Sequence, residues 1–144
     1  MKSKGRIAGI DYGTKRIGIA ITDPAQSIAS PYENYNRSGP EADAKRFKRL
    51  VSEDGIVLFV VGLPLHVSGD ESQKSFEARQ FGAWLHELTN VPVEFFDERY
   101  TSSESEAFLI EIDMSRKQRK KRLDMLAAQL ILKGYLERRD LTDG

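Results

Sequence analysis

Three acidic positions in this chain fall where element ends can gather carboxylates: Asp11, the adjacent pair Asp97-Glu98, and Asp124. Asp11 closes an apolar segment that reads as a strand. A carboxylate at the mouth of so apolar a segment must be solvated, paired or bound to a cation. Asp97-Glu98 closes a second strand-like segment, and Asp124 stands near the start of the last helical pattern, on the border of its apolar stripe. If the strands ending at Asp11 and Glu98 run parallel as neighbours, their ends share one sheet edge. Carboxylates collected there repel one another unless cations bind, and hard oxygen ligands suit Mg²⁺ or Mn²⁺. Two such ions can activate a water and stabilise the leaving oxygen in an in-line attack on a phosphodiester. Each acid also has an ordinary reading. Asp11 can be a solvated or capping acid, Glu98 can pair with Arg99 or a nearby lysine, and Asp124 can favour a helix N-terminus through the dipole.

The elements that would position these acids follow from periodicity. Gly5 to Asp23 reads as two strands joined by a tight glycine-containing turn. Ile7, Gly9 and Asp11 fall on one side of the first strand, Ala8 and Ile10 on the other. Ile17, Ile19 and Ile21 alternate with Gly18, Ala20 and Thr22 in the second. Asp23-Pro24 marks a turn. Ile28 to Asn36 predicts a third strand, with Pro31 placing it at an edge or interrupting its start. Glu41 to Glu53 predicts a helix with Ala44, Phe47, Leu50 and Val51 on one face. The unbroken run Ile56 to Val61 has the character of a strand covered on both sides.

Gly62 to Leu65 ends that strand, and a polar loop, His66 to Gly69, leads to a helix from about Glu71 to Leu88. Ala78, Phe81, Leu85 and Leu88 form its inner face, Trp84 lies on its packing edge, and His86, with no matching ligand, reads as a surface residue. Val91 to Phe96 is a further short strand. Thr101 to Glu104 has the capping-box pattern that opens a helix. The last helix, about Arg122 to Arg138, is expected to bury Leu123, Leu126, Ala127, Leu130, Ile131 and Gly134. The order βββαβαβαα implies a single α/β domain over residues 1–144, a mixed five-stranded sheet flanked by helices on both faces, in the ribonuclease-H-like order.

With 144 residues the chain can bury roughly 68–70% of the surface its unfolded form exposes, enough for one core. It has no cysteine, which excludes disulfides, thiolate catalysis and Cys-based zinc sites. No apolar run approaches the length of a spanning helix, and the start does not read as a secretory signal, so no membrane association and a cytoplasmic location are expected. The formal net charge is zero, so no global field favours nucleic acid. The distribution is uneven, however: Arg116, Lys117, Arg119, Lys120, Lys121 and Arg122 crowd into seven residues just before Asp124. That run is a phosphate-binding candidate, or else a solvated loop in which like charges favour disorder. Thr14, Lys15 and Arg16, in the first turn, could meet backbone phosphates or simply stay wet. Arg99 could orient Glu98, neutralise a phosphate or form a surface ion pair, and Trp84 and Tyr100 could stack on bases.

Four segments, IDYGTKRIGIAITD, VVGLPLHVSGDES, FFDERYTSSES and RLDMLAAQLILKGYL, resemble in that order the motifs of the YqgF family. These are nucleases for pre-16S ribosomal RNA, also called Holliday-junction-resolvase-like, and the similarity runs from about Gly5 to Leu136. The resemblance implies a ribonuclease-H-like fold and a divalent-metal nuclease whose catalytic, metal-holding acids are Asp11, Glu98 and Asp124. It favours Glu98 over Asp97, since side chains of adjacent strand residues face opposite ways. The chain departs from the pattern in two places. Resolvases of the broader superfamily often carry an acid after the fourth strand, where Leu63-Pro64-Leu65 stands, so Glu98 would take that role. His66 stands where the family more usually shows Asn.

The implied partners are precursor ribosomal RNA, with the small-subunit precursor that contains it, or structured DNA. Resolvases cut two strands symmetrically and act as dimers; no dimer seam is visible, so a monomer or weak dimer is expected. Two further classes stand beside this one. Asp11-Tyr12-Gly13-Thr14 and Gly18 also resemble the first phosphate loop of actin-like ATPases and sugar kinases, but those clamp a nucleotide between two domains and 144 residues supply one. A non-catalytic RNA-binding, ribosome-assembly module would use the basic run without needing all three acids.

Overall fold

The computed structural model describes residues 5–101 and 116–143, the side chains of 116–122, 124, 142 and 143 excepted. Five strands, β1 (Arg6–Asp11), β2 (Arg16–Thr22), β3 (Ala29–Asn36), β4 (Ile56–Leu63) and β5 (Val93–Asp97), form one sheet in the order β3-β2-β1-β4-β5. β1 pairs antiparallel with β2, and β2 with β3; β1–β4 and β4–β5 are parallel. The helices are α1 (Pro40–Asp54), α2 (Gln73–Thr89) and α3 (Arg116–Asp143), and a 3₁₀ turn (Glu98–Tyr100) follows β5. No helix among the described residues is long and apolar enough to cross a membrane.

Strand alternation divides the core in two. Ala8 and Ile10 of β1, Ile17 and Ile19 of β2, and Phe59 and Val61 of β4 face α1 and α2, where Phe47, Leu50, Phe81 and Leu85 are buried. Ile7, Ala20 and Val60 face the other way, against Ala128, Ile131, Leu132 and Leu136 of α3. β4 is therefore apolar on both sides, as its unbroken run requires. β3 is an edge strand. Its register slips where Ala20 pairs with Pro31 and Ile19 with Glu33, so one extra residue is absorbed beside a proline that cannot donate to the ladder.

Gly9 lets α3 cross directly over β1: a Cβ there would lie 2.7 Å from Leu132 Cβ and 2.9 Å from the Ala128 carbonyl oxygen. Two expectations are corrected on α3. Leu123 is 51% exposed, and the buried stripe starts at Ala128, because the sheet that covers the helix does not reach back to Leu123. The basic run Arg116–Arg122 lies within the helical span of α3 and is not a loop, consistent with the good helix propensity of Lys and Arg. The helix expected from Thr101 falls outside the described residues. Thr101 itself closes the 3₁₀ turn, its hydroxyl and its backbone N–H both donating to the Glu98 carbonyl (2.8 and 3.1 Å).

Candidate active site

The register of the parallel strands brings two acids to one edge. Ile10 pairs with Val61, and Leu63 pairs with Asp97, so β1, β4 and β5 end side by side. Asp11 is the last residue of β1, and Glu98 is the first of the 3₁₀ turn after β5. Gly62 of the intervening β4 makes room for the second. A Cβ on Gly62 would sit 3.0 Å from Glu98 Oε2 and 2.5 Å from Ile131 Cδ1. The Glu98 carboxylate thus leans over β4 toward Asp11.

Glu98 is pushed up to about 7, first by burial, then by the charge of Asp11 and then that of Asp97, with Lys74 opposing. Asp97 behaves differently. Arg99 grips its carboxylate through Nη2 (2.6 Å) and Nε (2.9 and 3.1 Å), while the Arg99 backbone N–H caps Oδ1 at 2.9 Å. The Arg99 guanidinium holds Asp97 below the usual carboxylate range. Of this adjacent pair, Glu98 lines the cavity and Asp97 is occupied as a clamp. Arg99 Nη1 also donates to the Val67 carbonyl (3.2 Å), which ties the β4–α2 loop to the end of β5.

Above Asp11, Gly62 and Glu98 opens a cavity of about 460 Å³. Tyr12, Gly13, Thr14 and Arg16 of the β1–β2 turn make one wall. Lys74, Glu77 and Ala78 of α2 make the opposite one, and Ala127 of α3 also contributes. Ser72 anchors the start of α2: its hydroxyl accepts from Ser75 N–H (2.9 Å) and donates to the Pro64 carbonyl (2.7 Å), fixing the helix to the end of β4.

The remaining sequence candidates distribute as follows. Lys15 is exposed in the same turn as Thr14 and Arg16 but does not line the cavity. Arg99 is engaged by Asp97. Asp124 lies on α3 three residues before Ala127; its side chain, and those of Arg116, Lys117, Arg119, Lys120, Lys121 and Arg122, lie outside the described residues. Tyr100 is half exposed beneath the Arg138 guanidinium, 3.9 Å from its ring centroid, and Trp84 packs against Phe47 and Phe81. His86 is exposed, its Nδ1 2.9 Å from the Val91 carbonyl. Sequence reasoning missed Lys74 and Glu77. Their place one helical turn from Ala78, an inner-face residue next to the loop after β4, was the available signal.

The donors gathered here are carboxylate oxygens, the hard ligands that suit a divalent cation, and a cation would relieve the repulsion between Asp11 and Glu98. Among the described residues no group of three or more metal-ligating side chains forms, and the third acid of the expected set, Asp124, lies outside them.

A mixed sheet of order 3-2-1-4-5, with acids at the ends of β1 and β5 and helices on both faces, defines a ribonuclease-H-like domain of the resolvase type. The same fold occurs in Thermus thermophilus RuvC in complex with a Holliday junction substrate, at TM-score 0.55 and 14% identity, covering 94% of this chain and 95% of that one. The fowlpox virus Holliday junction resolvase shares it at TM-score 0.53 and 14% identity, covering 92% and 99%. The chain belongs to the RuvX family, described as Holliday junction resolvase, whose model matches residues 5–138. A Rhodopirellula baltica protein named "Putative pre-16S rRNA nuclease" is 47% identical over 133 residues, 92% of this chain and 77% of that protein. A Koribacter versatilis protein of the same name is 40% identical over 137 residues, 95% and 90% of the two chains.

Proposed function

We propose that this chain is a divalent-metal-dependent endonuclease that hydrolyses a phosphodiester bond at the 5′ side of precursor 16S ribosomal RNA. The observation that carries the reading is the meeting of Asp11 and Glu98 across Gly62 at the floor of a cavity whose walls bear Arg16 and Lys74. The substrate rests on the printed names of relatives at 40–47% identity over most of the chain.

Asp11, Glu98 and Asp124 would hold one or two ions of Mg²⁺ or Mn²⁺. When bound, these supply positive charge at the scissile phosphate and an acidified water as nucleophile. The chain's own residues bind and orient. Arg16 and Lys74 face the phosphates from opposite walls, Thr14 offers a hydroxyl between them, and the basic run at the start of α3, with Lys15 and Arg99, extends the path for backbone. The water oxygen bonds to phosphorus as the bond to O3′ breaks, leaving a 5′-phosphate and a 3′-hydroxyl. One domain over residues 1–144 performs this in the cytoplasm, as a monomer or weak dimer.

A DNA junction is the second reading, favoured by the family description and by the junction-bound structure of the same fold. Labelled precursor RNA and labelled four-way DNA junctions, each with Mg²⁺ and with EDTA, distinguish the two. Metal-dependent cutting of the RNA at a defined 5′ position is the expected result. Cutting of junctions alone would move the function to DNA recombination, and binding of RNA without cleavage would make the chain an assembly module.

A further inference from the structure

The cavity wall contributed by the β1–β2 turn is braced from behind by a buried ion pair. Arg37, one residue past the end of β3, donates from Nε to Asp43 Oδ2 at 2.9 Å, and Asp43 is only 1% exposed in the first turn of α1. The same guanidinium donates from Nη1 to the Tyr12 hydroxyl at 3.0 Å and to the Gly13 carbonyl at 3.2 Å. Its backbone N–H donates to the Lys15 carbonyl at 2.9 Å. Tyr35 completes the set, its hydroxyl donating to Asp43 Oδ1 at 2.8 Å. On its other side Tyr12 packs against Phe81 of α2, ring centroids 4.9 Å apart.

We infer that Arg37 is a positioning residue for the phosphate-facing turn, with Asp43 as its anchor. Three of the turn's residues, Tyr12, Gly13 and Lys15, are held by this one side chain and its backbone. The turn would otherwise be a short polar hairpin loop with few apolar contacts, the kind of segment that opens locally at low cost. Held this way, Thr14 and Arg16 reach the cavity from a fixed backbone, so a nucleic acid need not order them on binding. Arg37 acts through the turn and touches no substrate. Lysine cannot replace it, because a single ammonium cannot reach Asp43 and the turn with the geometry of a planar fork.

The inference rests on the reading of the cavity as a nucleic-acid site, and two measurements separate the two ideas. The first is hydrogen exchange of the full chain without any ligand. In Arg37→Ala, peptides spanning residues 12–16 and 34–38 should exchange about tenfold faster, as expected for the loss of one or two charge-assisted hydrogen bonds, while β4 stays protected. Arg37→Lys should not restore the protection. Because Arg37→Ala strands a buried carboxylate and can fail to fold, the double variant Arg37→Ala/Asp43→Ala, which leaves no buried charge, is measured beside it.

The second is the salt dependence of binding to a labelled single-stranded RNA in EDTA. Arg37→Ala should weaken binding about tenfold with an unchanged salt slope, whereas Arg16→Ala should lower the slope by about 0.7, the signature of a lost phosphate contact. Unchanged exchange in the turn would overturn the inference, as would a lowered slope in Arg37→Ala, which would make Arg37 a direct contact. If the wild type binds no nucleic acid, the cavity reading falls, and the exchange result still decides the brace.

Discussion

Glu98 Oε2 lies 3.0 Å from the point that a Cβ on Gly62 would occupy, so the approach of the β5 acid to the β1 acid depends on a missing side chain in the strand between them. Gly62→Ala puts a methyl group where Glu98 and Ile131 now sit. Both can yield, so the fold should survive at a cost of about 1–3 kcal/mol. A carboxylate displaced by a fraction of an ångström should lower the cleavage rate by up to about 10²-fold. Urea unfolding and single-turnover kinetics on one preparation check both parts, and a rate loss much greater than the stability loss is the expected pattern.

Gly9→Ala acts on the other side of Asp11. Its methyl would meet the backbone of α3 at the Ala128 carbonyl, which cannot swing aside as a side chain can. The helix must move off β1, at a cost of about 1–3 kcal/mol. Since α3 also carries Asp124, activity should fall in parallel, whereas Ile7→Val, in the same core cluster, should lower stability with little change in rate.

Asp23 gives the clearest pH dependence. Its carboxylate accepts from the Ile28 and Ser27 backbone N–H groups (2.9 and 2.8 Å) and from the Ser27 hydroxyl (2.8 Å), and these bonds lower it from 3.8 to about 2. A folded value below the unfolded one means stability present above pH 3.8 and lost as pH falls through about 2. Asp23→Ala should therefore unfold more readily than wild type at pH 6, and the gap between their urea midpoints should narrow from about pH 4 to pH 2.

For the basic run at the start of α3, each of Lys120→Ala and Lys121→Ala should lower the salt slope of RNA binding by about 0.7 if that residue meets a phosphate. Anisotropy titrations between low and moderate salt measure it, and an unchanged slope would assign that lysine to a solvated helix face.

The sheet was legible because its cues are local. Alternation in β1 and β2, the unbroken apolar run of β4 and Pro31 in β3 each report a strand's surroundings from within the strand. Asp11 and Glu98 were legible as strand-end acids for the same reason. What was not legible depends on distant contacts. Asp43 reads as an ordinary acid in a helix's first turn, and nothing in its neighbours announces that it is buried against Arg37 and Tyr35. Lys74 is one lysine among many until the fold sets α2 beside the end of β4. Leu123 has the right spacing for the buried stripe, but the sheet stops short of it. The charges of the 116–122 run suggested a loop, yet on a helix side they can spread to solvent without breaking the hydrogen-bond ladder.

The proposal of a metal-dependent acidic site centred on Asp11 is tested most directly by cleavage and binding measured together on labelled precursor RNA, for wild type and Asp11→Asn, with Mg²⁺ and with EDTA. Asparagine keeps the size of the side chain and removes its charge. The expected result is RNA binding close to wild type, cleavage reduced by at least about 10²-fold in the variant, and no cleavage by either protein in EDTA. Wild-type rates in Asp11→Asn, or cutting that persists in EDTA, would contradict it.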